Sequence, residues 1–170
     1  MKKQNTTFIC MTALFMALVC IATLFFKISI PLGYAHLGNG FILFGAFVMG
    51  NPAAILIGGV GSAMADLLGG YAEWILPTLV IKSFMGYVIA KVADSHKLYG
   101  IRTAIASVLG IVIMVVGYFI AGSILYGSIP AGAAQIPGLV SEGIVGIILF
   151  YVMASAVYKT GVLKTMSFNK

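Results

Sequence analysis

Six apolar runs succeed one another along the chain, each closed by a short cluster of glycine, proline or charged residues. A helix needs about 20 apolar residues to cross a bilayer, and the first run, 6–26, has that length. A loop at 27–35 holding Pro31 and Gly33 separates it from a second run at 36–49, short for a full span. Asn51-Pro52 makes a tight turn, since proline is tolerated at a helix's first position. A third run then extends to Leu68, where Gly69-Gly70-Tyr71 breaks it. Runs at 74–93, 103–126 and 138–158 follow, divided by a polar loop at 94–102 and a Gly/Pro-rich loop at 127–137. The pattern predicts an all-α integral membrane protein of six transmembrane helices, forming a single domain over 1–170.

Composition agrees: 61% of the residues are hydrophobic and 8% charged, against about 25% charged in soluble domains. Met1-Lys2-Lys3 before the first run resembles a signal peptide. The run has the length of a span, however, and lacks a small-x-small cleavage site, so a retained first helix is expected. With six spans both termini share one side. An N-terminus inside puts Lys2, Lys3, Lys91, Lys97, Arg102, Lys159, Lys164 and Lys170 inside and leaves only Lys27 outside. The positive-inside rule therefore makes both termini cytoplasmic. It also explains the net charge of +6 as a topology signal rather than as a nucleic-acid surface.

The remaining charges are more informative. Asp66, Glu73, Lys82 and Glu142 lie inside or at the mouths of the runs, all toward the outer side. An ionisable group within a span costs about 2.5–3.5 kcal/mol on insertion scales and is by default a functional-site hypothesis. Asn39 and Tyr118 fall in the same zone, flanked by Tyr34, Tyr71, Trp74 and Tyr126. A few polar groups among aromatics in an apolar shell make a small-molecule pocket. The alternatives are structural. Asp66 and Lys82 can neutralise each other, Glu142 can be a solvated interfacial carboxylate, and the aromatics can be belt residues. His36, at a loop–helix junction, reads as a cap or surface residue.

Small residues recur at four-residue spacing, as Ala13-x-x-x-Ala17 and as Gly58-x-x-x-Ser62 with Gly61-x-x-x-Ala65. Such spacing allows close helix approach in lipid. Segment 3 can use its glycines internally, whereas the face of segment 1 can dock another protein. Gly58-Gly59-Val60-Gly61-Ser62 lacks the Gly-Lys-Ser/Thr ending of a phosphate loop and reads as packing. Cys10 and Cys20 lie about 15 Å apart along one helix at 1.5 Å per residue, too far for a disulfide. The sequence offers no metal set and no nucleophile–base–acid set, so neither cofactor nor enzymatic activity is expected.

The series Leu37-Gly38-Asn39, Gly50-Asn51-Pro52, Gly58, Gly61 to Leu67, Gly70-Tyr71, Pro77-Thr78, Ile81-Lys82 and Gly86 resembles the substrate-binding S components of energy-coupling factor (ECF) vitamin transporters. The similarity points to the riboflavin-type branch, which includes proteins proposed to bind hydroxymethylpyrimidine or pyridoxine. The resemblance implies a six-helix subunit in the cell membrane of a prokaryote, without ATPase activity of its own. Such a subunit captures a vitamin from outside and joins a transmembrane coupling subunit and two cytoplasmic ATPases. It further implies an outer-half pocket, and it matches Ala13 and Ala17 to the helix 1 alanines that face the coupling subunit.

The resulting expectation is a vitamin-binding subunit. Its substrate is a small aromatic heterocycle stacked on Trp74 or a tyrosine and hydrogen-bonded by Glu142, Lys82 or Asn39, with Tyr118 nearby. Asp66 and Glu73 shape the pocket or form ion pairs. The single tryptophan favours a one-ring ligand over a flavin. The rival readings are a riboflavin-specific subunit, a structural membrane protein without ligand, and a proton-coupled carrier using Glu142 or Asp66.

Overall fold

The structure, a computed structural model, describes residues 2–30 and 33–160; side chains are described from Thr6 onward, except at Ile28, Ile30 and positions 33–34. Helix α1 (Lys2–Phe25) leads into a two-stranded antiparallel hairpin, β1 (Lys27–Ile30) and β2 (Gly33–His36). Helices α2 (Gly38–Met49), α3 (Ala53–Gly69) and α4 (Ile75–Val92) follow, with one 3-10 turn at Ala72–Trp74 before α4. The rest comprises α5 (Ile101–Leu125), the short α6 (Ile129–Ala134) and α7 (Ile136–Lys159).

The protein is an all-α membrane bundle of six principal helices. Four of them, α1, α4, α5 and α7, are long and apolar enough to cross a bilayer. At 12 and 17 residues, α2 and α3 rise about 18 and 26 Å at 1.5 Å per residue. The short second segment is therefore real, and α2 is enclosed by α1, α3, α4 and α7 instead of facing lipid. Two segments expected as plain loops have structure of their own. Residues 27–36 pair Lys27 with His36 and Ile28 with Ala35, so main-chain groups at the bundle mouth bond to each other. Within 127–137, Ser128 caps α6 by accepting the Ala131 N–H at 3.4 Å.

Close approach between helices comes from missing side chains. A Cβ at Gly86 of α4 would overlap the Ala54 carbonyl oxygen of α3, and one at Gly58 would overlap that of Lys82. Such proximity lets dispersion act where lipid removes the hydrophobic drive. The inner half is filled by apolar side chains such as Met49, Ile57, Met85 and Ile89, and Phe47 meets Phe150 edge-on at 5.6 Å.

At that end the turn between α4 and α5 packs on the end of α7. The Tyr99 hydroxyl lies 2.7 Å from Ser155 Oγ, and the Tyr158 hydroxyl donates to the His96 carbonyl at 3.2 Å. Lys91, Lys97, Arg102 and Lys159 thus collect at one end, which is the cytoplasmic one. Lys164 and Lys170 lie outside the described residues, as do the side chains of Lys2 and Lys3.

Candidate functional site

Four helices and the hairpin converge on one polar cluster in the outer half. Asn39 stands in the first turn of α2, Lys82 on α4, Met114 on α5 and Glu142 on α7, all buried. Lys82 Nζ donates to Asn39 Oδ1 at 2.6 Å, and Asn39 Nδ2 donates to Glu142 Oε1 at 2.6 Å. An ammonium only donates and a carboxylate only accepts, so these two partners fix the orientation of the amide. Lys82 also lies 3.6 Å from Glu142 Oε1 and 3.1 Å from Met114 Sδ. Gly146 brings α7 against α2, because a Cβ there would press on Asn39.

His36, at the end of β2, adds another donor. The Gly38 N–H donates to its Nδ1 at 3.0 Å, so the ring hydrogen is on Nε2, 3.3 Å from Glu142 Oε1. Burial, followed by the nearby Lys82 charge, holds His36 well below the ordinary imidazole range. The ring is therefore neutral, and it donates to Glu142 without adding a charge.

Glu142 and His36 line a partly open cavity in the outer half. It is lined by the aromatic Tyr71, Trp74 and Tyr118 and by the polar Thr78, with Ser62 and Asp66 contributed by α3. The Trp74 ring lies 5.6 Å from Tyr118 and 6.2 Å from Tyr126. Thr78 Oγ1 and the Tyr118 hydroxyl are 2.9 Å apart. The space between atoms, mouth included, is about 470 Å³, of which water centres can occupy about 40 Å³. At 10–15 Å³ per water that is room for about three. His36 and Glu142 also border a groove between the hairpin and α7, beside Lys27 and Ser141.

Several residues stand apart from their expected places. The ion pair of Lys82 is with Glu142, not Asp66, because the side chain runs inward across the bundle to Asn39. Glu142, which had no evident partner in the sequence, has three. Asn39 and Lys82 are not in the cavity lining but behind Glu142, holding it. Glu73 is exposed in the turn before α4 and does not line the cavity. His36 is a buried cluster member rather than a surface cap. The side chain of Tyr34 lies outside the described residues. Ala13 and Ala17 are exposed on α1.

Sequence reasoning missed His36, Ser62 and Gln135, all of which line the cavity. His36 is three residues from Asn39, and Gln135 is a lone amide in an apolar Gly/Pro loop; those were the available signals.

A partly open, aromatic-lined cavity with a buried carboxylate, within a membrane bundle, has the make-up of a site for a small organic molecule. Residues 3–159 match the family model of the ECF-type riboflavin transporter, S component, and the chain belongs to that family. It is 37% identical over 134 residues to an uncharacterised protein of Pyrococcus woesei, covering 77% of this chain and 88% of that one. It is 29% identical over 120 residues to the thiamine precursor transporter HmpT of Lactococcus lactis, covering 69% of this chain and 65% of that one.

Proposed function

We propose that this subunit captures a single-ring aromatic heterocycle, hydroxymethylpyrimidine or pyridoxine, for an ECF-type importer. The observation that carries the reading is the buried Glu142 carboxylate lining one cavity with Trp74 and Tyr118. A ring stacked on the aromatics presents its basic nitrogen or hydroxyl to Glu142, which Asn39, Lys82 and His36 hold in place. Asp66 shapes the wall on the α3 side. The single tryptophan favours one ring over the three fused rings of a flavin, and the named substrate class of HmpT points the same way. Riboflavin remains the second reading, favoured by the family description.

The protein performs no reaction of its own. A transmembrane coupling subunit and two cytoplasmic ATPases supply the energy, docking on the exposed Ala13 and Ala17 of α1. Glu142→Gln keeps the shape and removes the charge. It should weaken ligand affinity by about 1.5–3 kcal/mol, the scale of charged hydrogen bonds, or roughly ten- to hundredfold. Isothermal titration of the purified protein with hydroxymethylpyrimidine, pyridoxine and riboflavin checks this, and unchanged affinity would remove Glu142 from the site. Ala13→Leu with Ala17→Leu should abolish co-purification with the coupling subunit while ligand binding persists.

A further inference from the structure

Two side chains of the cavity wall have polar atoms that nothing in the described structure satisfies. Gln135, at the junction of α6 and α7, is buried, and its Nε2 has no hydrogen-bond partner. Ser62 on α3 is fully buried, and its Oγ has none either. About nine in ten buried polar groups are satisfied in folded proteins, and each exception calls for an explanation. Ordinary helix packing does not explain Ser62. The hydroxyls of Thr12, Ser107, Ser123 and Ser141 each donate to the carbonyl four residues earlier, and Ser62 makes no such bond.

Gln135 has a built position. Its amide nitrogen occupies a notch on α5 that a Cβ at Gly122 would fill, next to the Trp74 ring. Ser62 shares a helix face with Asp66, four residues on, and both line the cavity. The walls therefore offer a donor on the Gln135 side, with a hydroxyl and a carboxylate on the α3 side.

We propose that Gln135 and Ser62 are specificity-determining contacts to the substrate, resting on the reading of this cavity as the substrate site. Gln135 donates to an acceptor on one edge of the ring. Ser62 and Asp66 receive the opposite edge, which carries an exocyclic amine or hydroxyl. A phosphate or carboxylate on that second edge meets the Asp66 carboxylate and is rejected.

The test uses the full chain in detergent, with Gln135→Leu and Ser62→Ala, both close in shape to the residues they replace. Melting is recorded without ligand, and affinity for hydroxymethylpyrimidine, pyridoxine and riboflavin is read from the fluorescence of Trp74, the single tryptophan. Each free variant should melt at or above the wild-type temperature, since an unsatisfied buried group is removed. Affinity for the bound probe should fall about tenfold or more. Unchanged affinity, or a lower melting temperature of the free variants, overturns the proposal. If the wild type binds none of the three, the substrate reading fails; if it binds one and both variants bind that probe equally well, only this inference fails.

Discussion

The outer and inner halves of the bundle are built on opposite terms. The inner half joins α3 to α4 at Gly86 and fills the interior with aliphatic side chains and the Phe47–Phe150 pair. The outer half spends its interior on Asn39, Lys82, Glu142 and His36 and keeps a cavity beside them. Apolar packing in lipid stabilises by contact alone, whereas each buried polar group costs free energy until a partner is supplied. Structural stability and ligand recognition are thereby assigned to different depths of one bundle. The polar cluster bridges them, because its lysine and asparagine are structural supports for a carboxylate that faces the cavity.

Breaking that support should have the largest effect. Lys82→Met leaves Glu142 without its cation, and loss of one partner of a buried pair costs about 3–5 kcal/mol. Thermal unfolding in detergent should show the drop, and adding Glu142→Gln should recover much of it. If Asp66→Asn recovers more, the pairing deduced from the geometry is wrong. Gly86→Ala attacks the inner half: overpacking against the Ala54 carbonyl should cost about 1–3 kcal/mol, with ligand affinity unchanged in the protein that remains folded. The smallest effect belongs to Glu73→Gln. This exposed residue should move stability by less than about 0.5 kcal/mol and leave titrated affinity as it was.

Much of the fold was legible because a bilayer imposes long apolar runs and one-sided basic residues, and helices α4, α5 and α7 begin and end within two residues of their expected limits. The depth of Lys82 and Glu142 was legible for the same reason. Which charges meet was not. Asp66 and Lys82 lie nearer each other in sequence, but pairing depends on which helix faces turn inward, and α2 inserts Asn39 between Lys82 and Glu142. His36 was misread because a hairpin, not a helix cap, carries it into the interior, and a four-residue strand has too few positions to show its period.

The brevity of α2 has a further consequence. Ten of its twelve residues are buried, so acyl chains press on its neighbours and hardly on α2 itself. Hydrophobic mismatch acts on the helices that touch lipid, which tilt or bend as membrane thickness changes. Asn39 hangs from the one helix screened from that force. The anchor of Glu142 is thus insulated from lipid composition, and affinity measured in thin and thick bilayers should agree more closely than the tilt of α1 or α5 does.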